Sequence, residues 1–201
     1  YLLPTIIGRL MQTHGDLDIH VRETVTPKLL QELTEGRLDT AIVALPVSEP
    51  SLTEIDLFSE EFVLVRPAED AARPVPSRET LREMRLLLLE EGHCFRDQAL
   101  AFCNMASSLP REVLEGSSLS TLVQMVGAGI GVTLIPEMAA PVETRSAAVS
   151  LARFAGPQPR RTIGMIWRRT SPLAGQLQHI AGIVRDVAEA MRQPATPLQP
   201  A

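Results

Sequence analysis

Apolar runs too short for helices recur between longer amphipathic stretches, and this alternation constrains the fold more than any other feature of the chain. Leu38 to Leu45 is nearly continuous in apolar character over the length of a strand, the pattern of a strand covered on both faces. Leu86 to Leu89 is four consecutive leucines, and Val132 to Ile135 is closed by Pro136. Ahead of the first run, residues 2–13 place Leu3, Ile6, Ile7, Leu10 and Met11 at helical spacing. Residues 17–23 alternate Leu17, Ile19 and Val21 with Asp18, His20 and Arg22, which predicts a half-buried strand. Thr26-Pro27 reads as an N-cap followed by proline at the first helical position. The helix it opens carries Leu29, Leu30 and Leu33 and stops near Gly36. Helix, strand, helix, strand in that order predicts a parallel sheet.

The second half repeats the alternation. Residues 55–66 form an apolar stretch interrupted by Ser59-Glu60-Glu61, and Ala68 to Pro76 has the composition of a surface loop. Helices are expected at about 94–106 and 118–129, with a short strand near 111–115 between them. Gly127-Ala128-Gly129-Ile130-Gly131 breaks the second helix and leads into the strand that ends at Pro136. Residues 147–155 and 161–168 read as strands, and Leu173 to Met191 as a long amphipathic helix. The Pro-rich tail Gln193 to Ala201 is expected to be disordered. Two alternating α/β halves, with the chain passing out and back, predict two lobes around a cleft of the kind that takes small ligands.

Composition narrows the function. The chain is 201 residues long and 45% hydrophobic, enough for one core or two small ones. Its 19 basic and 24 acidic residues leave a net charge of −5, which argues against a surface that grips nucleic acid by itself. No apolar run approaches the roughly 18 residues needed to span a bilayer. Tyr1-Leu2-Leu3-Pro4 has neither an initiator Met nor a basic segment before a long apolar run, and reads as a start inside a longer protein rather than a signal peptide. His14, His20, His93 and His179 are scattered, with no spacing that suits zinc or iron, so no metal and no cofactor is expected.

There are two cysteines, and their surroundings are the most informative segment: Gly92-His93-Cys94-Phe95-Arg96-Asp97-Gln98-Ala99-Leu100-Ala101-Phe102-Cys103. Phe95, Ala99, Phe102 and Ala106 lie on one helical stripe. Cys94 then falls in the first turn of a helix, where unpaired backbone N–H groups favour an anion, with His93 and Arg96 beside it. Such surroundings depress a thiol pKa. Nine helical residues advance a chain about 13.5 Å and turn it about 900°, so Cys94 and Cys103 point to opposite faces. A disulfide needs Cα atoms within roughly 7 Å, so these two cannot bond while the helix is intact. The bland reading stands beside this one: two inert buried cysteines, with Arg96 and Asp97 on an ordinary solvated face.

The segment resembles the redox motif of the OxyR-type hydrogen-peroxide sensors among LysR-type transcriptional regulators, differing mainly by Phe95 where a leucine is usual. The likeness extends along the chain. Tyr1-Leu2-Leu3-Pro4 with Ile6-Ile7 is similar to the family's first regulatory-domain helix, and Gly36-Arg37-Leu38-Asp39 to its entry into a strand. Ser118-Leu119, Thr121-Leu122 and Met125-Val126, then Gly129-Ile130-Gly131-Val132-Thr133-Leu134-Ile135-Pro136, resemble its next helix and strand, and Pro159 to Gly164 a further stretch.

The resemblance implies two Rossmann-like lobes of the periplasmic-binding-protein type, 1–57 with 163–192 and 58–162, with the redox segment at 92–106. It implies that Cys94 is the peroxide-reacting thiol and Cys103 the resolving one, joined reversibly in a disulfide that refolds the local helix. Thr26, His93 and Asp97 resemble residues that shape a peroxide pocket, with Arg96 nearby, and Arg161 a basic residue beside the thiol; Thr26 reads equally as a helix cap and Arg161 as a surface charge. The expected partners are hydrogen peroxide, a second copy or three more, DNA through an N-terminal winged helix-turn-helix absent from this chain, and thioredoxin or glutaredoxin as reductant. A strand and a peroxide-contacting threonine that precede this region in the family are also absent here. A cytoplasmic, non-enzymatic regulator follows. Two other readings stay open: a LysR-type domain taking a small effector between its lobes, and a thiol peroxidase.

Overall fold

The computed structural model describes residues 1–91, 94–102, 113–156 and 158–192, the side chains of Cys94 and Val113 excepted. In chain order the elements are α1 (Leu3–Thr13), α2 (Thr26–Thr34), β1 (Ala41–Leu45), β2 (Leu52–Pro67), α3 (Arg78–Leu81), β3 (Leu86–Leu89), α4 (Cys94–Phe102), β4 (Val113–Gly116), α5 (Leu119–Gly127), β5 (Thr133–Pro136), α6 (Ala140–Glu143), β6 (Val149–Ala152), β7 (Arg160–Arg168) and α7 (Ala174–Arg192). The chain divides into two compact units. One comprises Tyr1–Thr24, Lys28–Phe58 and the chain from Thr162 on; the other comprises Val25–Pro27 and Ser59–Arg161.

In the first unit β1 pairs antiparallel with β7, from Ala41 opposite Ile166 to Leu45 opposite Thr162. Leu33, Ala41, Val43, Leu52 and Ile166 make its core. Helices α1 and α7 pack together. Helix α1 buries Ile6 and Leu10, and α7 buries Leu177, Ala181, Val184, Val187 and Ala188, a stripe at helical spacing.

The second unit is built on the latter part of β2, which pairs antiparallel with β5 (Phe62 opposite Pro136) and with β6 (Leu64 opposite Ala152). Strands β3 and β4 are parallel, Leu86 opposite Val113 through Leu89 opposite Gly116. All four leucines of β3 are buried because α4 and α5 pack on it. The core continues through Phe62, Phe95, Ala99, Leu122 and Leu134. The glycines and threonine before Pro136 have separate duties here. Gly129 takes φ +76° just after α5, a conformation that L side chains rarely adopt. A Cβ on Gly131 would collide with the carbonyl oxygen of Arg85. Thr133 is fully buried and its hydroxyl donates to the Leu87 carbonyl oxygen at 2.8 Å, tying β5 to β3.

Two expectations are corrected. No strand forms over 17–23; Leu17 and Val21 are 39% and 50% exposed. Alternation supplies a face, but a strand also needs a neighbouring backbone to pair with, and no described strand pairs with this stretch. The parallel sheet expected in the first half is absent: β1 pairs with β7 antiparallel, and the parallel ladder is β3 with β4. The apolar stretch at 55–66 lies within β2, which runs on through Ser59-Glu60-Glu61, where Glu60 and Glu61 are met by Arg161 and Arg153. The tail expected to be disordered lies outside the described residues.

Candidate functional site

Helix α4 starts at Cys94 and is the next element after β3. The helix takes this position because Phe95 and Ala99, one turn apart, are 4% and 0% exposed in the core of the second unit. Phe95 meets Phe62 edge to face, ring centroids 4.8 Å apart. The backbone of Cys94 is thereby held in the first turn of a nine-residue helix, where backbone N–H groups have no partner within the helix.

Arg96 is buried, and its Nη1 donates to the Leu89 carbonyl oxygen at 3.0 Å and to Glu115 Oε1 at 2.6 Å. The side chain thus pins the first turn of α4 to the ends of β3 and β4. Its charge is engaged by Glu115, a partner 19 residues away with no signal in the sequence pattern. Asp97, on the same turn, is exposed.

Arg161 arrives from the start of β7. Its guanidinium carbon stands 5.8 Å from the centroid of Phe95, the residue after Cys94, and 5.7 Å from that of Phe62. Nε and Nη2 both donate to Glu60 Oε2, at 2.9 and 2.7 Å. Arg161 is therefore held in place beside the rings of Phe95 and Phe62 and is not a loose surface charge. Thr26 opens α2 and belongs, with residues 25–27, to the same unit as α4 and Arg161. His93, Cys103 and the Cys94 side chain lie outside the described residues.

Sequence reading missed three groups. Glu60 and Glu115 are the acids that hold the two arginines. The third is Gln98, whose Oε1 is buried without a hydrogen-bond partner. Its position four residues after Cys94 puts it on the same helical face. An unpaired buried carbonyl is uncommon and calls for an explanation. The i, i+4 relation to the cysteine was the available signal. Among the described residues no group of three His, Cys, Asp or Glu could hold a metal ion, and no helix is long and apolar enough to cross a membrane.

This fold and this helix start define a regulatory domain of the LysR class. The LysR substrate binding domain family matches residues 1–189, and the chain belongs to that family. Its relatives are more particular. A probable hydrogen peroxide-inducible genes activator of Streptomyces viridosporus is 43% identical over 196 residues, 96% of this chain and 62% of that protein. The reduced OxyR regulatory domain of Pseudomonas aeruginosa aligns with a TM-score of 0.81 at 32% identity, covering 98% of this chain and 92% of that one. The H2O2-bound C206S OxyR of Corynebacterium glutamicum aligns with a TM-score of 0.87 at 32% identity, over 95% of this chain and 62% of that one. The chain thus spans somewhat less than two thirds of the curated relatives it matches. The expected α/β class, of the periplasmic-binding-protein type, holds.

Proposed function

We propose that this chain is the peroxide-sensing regulatory domain of an OxyR-type transcription factor, switched by a reversible disulfide between Cys94 and Cys103. The observation that carries this reading is helix α4 itself, which begins at Cys94 and runs to Phe102, the residue before Cys103. Eight residues of helical rise place Phe102 about 12 Å along the axis from Cys94. One further residue recovers at most about 3.8 Å, which still exceeds the roughly 7 Å a disulfide tolerates. Closing the bond requires α4 to open, and a bond that must refold its surroundings is a switch rather than a staple.

The chemistry is balanced by two thiols and one peroxide. The thiolate sulfur of Cys94 attacks one oxygen of hydrogen peroxide, the O–O bond breaks, and hydroxide leaves and takes up a proton. The resulting sulfenic acid is attacked by the Cys103 sulfur, the S–S bond forms, and a second water leaves. The helix start and the fixed charge of Arg161 favour the thiolate. Arg96 supports α4 in the thiol state, while Thr26, His93, Asp97 and Gln98 supply polar contacts to the peroxide. A dithiol reductant of the thioredoxin or glutaredoxin type returns the pair to thiols. Supported by its relatives' regulation of transcription, the chain acts in the cytoplasm as part of a DNA-binding homodimer or homotetramer, and refolding of α4 shifts the contact between copies. The domain acts as a regulator and not as an enzyme.

The test is mass spectrometry of thiol state before and after dilute peroxide, on the natural sequence and Cys94→Ser. The switch reading expects an intramolecular disulfide in the first and none in the second. If Cys94→Ser leaves the response of target genes to peroxide intact, the reading fails.

A further inference from the structure

A buried acid stands behind the arginine of this site and has no part in the chemistry above. Glu60 is 7% exposed and lies within β2, where a carboxylate is costly to bury without a partner. One of its two carboxylate oxygens, Oε2, accepts from both Nε and Nη2 of Arg161, 101 residues further along the chain. The arginine so held is 5.8 Å from the ring of Phe95. A guanidinium does not lose its proton in a protein, so its field can be moderated only by a counter-charge. The flanking rings, Phe62 and Phe95, are 1% and 4% exposed, and apolar surroundings carry that field further than water would. Among the other described charges on these elements, Arg96 is paired with Glu115 at 2.6 Å and Glu61 with Arg153 at 2.7 Å, and Asp97 is exposed.

We infer that Glu60 is a positioning residue for the thiol reaction: it aims Arg161 at the start of α4 and, through its own charge, limits how far that arginine favours the Cys94 thiolate. The inference rests on the reading of Cys94 as the peroxide-reacting thiol. It assigns the peroxide threshold of the switch to a pair outside the cysteine motif. The two parts of the role separate by substitution. Glu60→Gln keeps an acceptor of the same shape and removes the charge, so Arg161 stays in place and acts at full strength. Glu60→Ala removes the acceptor as well and releases the arginine.

The experiment follows alkylation of Cys94 by iodoacetamide against pH, together with its rate of oxidation by peroxide, in the full-length protein carrying Cys103→Ser. Glu60→Gln is expected to lower the alkylation midpoint and to raise the peroxide rate at pH values below that midpoint. Glu60→Ala is expected to raise the midpoint by about one unit, a tenfold loss of thiolate at a fixed lower pH. In an Arg161→Gln background, Glu60→Ala no longer raises it, because there is nothing left to aim. If Glu60→Ala does not fold, Glu60→Asp, which draws the carboxylate back by one methylene, takes its place and raises the midpoint. Should Arg161→Gln raise the midpoint while every Glu60 variant leaves it alone, Glu60 only fills the sheet and the inference is overturned. Should no variant, Arg161→Gln included, move the midpoint, and Cys94 not respond to peroxide, the underlying reading of Cys94 falls first.

Discussion

Arg96 Nη1 and Glu115 Oε1 are 2.6 Å apart, and this one bond joins the first turn of α4 to the strand β4. On the proposed switch α4 opens, and contacts of this kind hold it closed in the structure described. A charge-assisted hydrogen bond contributes about 1.5–3 kcal/mol, and the half-exposed Glu115 side chain puts this one near the lower end. Glu115→Gln is therefore expected to speed amide exchange in α4 about tenfold, since roughly 1.4 kcal/mol is a factor of ten. The disulfide should also close at lower peroxide. Unaltered exchange in the variant would remove the Arg96–Glu115 pair from the restraints on α4.

Thr133→Val tests the tie between β5 and β3. The hydroxyl donates to the Leu87 carbonyl at 2.8 Å in a fully buried site. Valine keeps the volume and leaves that carbonyl without the bond, at a cost of about 1–3 kcal/mol. Thermal unfolding should shift down by about 2–4 °C per kcal/mol for a chain of this size.

Glycine substitutions should split by position. Gly131→Ala drives a methyl group into the backbone of Arg85 and is expected to destabilise by about 1–3 kcal/mol. Gly8→Ala, inside α1 with nothing within 4 Å of the added carbon, is expected to stabilise by about 0.5–1 kcal/mol. Denaturant midpoints of the two variants should move in opposite directions.

Gln98→Met should raise stability and slow sensing together. The buried Oε1 of Gln98 has no partner, so replacing the amide with a thioether of similar length removes an uncompensated polar atom, a gain of up to about 1 kcal/mol. If that oxygen serves the peroxide, the rate of sulfenic acid formation falls in the same variant. Increased stability with an unchanged rate would mean the atom is an unpaired group and nothing more.

Elements whose signal is local were legible. The four leucines of β3, the stripe of α7 and the Pro-Gly punctuation around α2 and β5 each carry their structure in their own spacing. What failed was pairing. Residues 17–23 have a strand's alternation and no strand to lie against, and the direction of β1 depends on β7, which begins 119 residues after β1. The site divides in the same way. Cys94 at a helix start could be read from Gly92 and the leucines before it. Glu60 and Glu115 could not, because a carboxylate in a strand looks the same whether it faces water or an arginine distant in sequence.

The proposed switch requires α4, which begins at Cys94 and ends at Phe102, to open, and peptide-resolved hydrogen exchange reads that event directly. After peroxide treatment, amides across 94–102 should lose protection in the natural sequence and keep it in Cys103→Ser, which cannot close the bond. Protection that persists across α4 while mass spectrometry shows the Cys94–Cys103 disulfide formed would contradict the account.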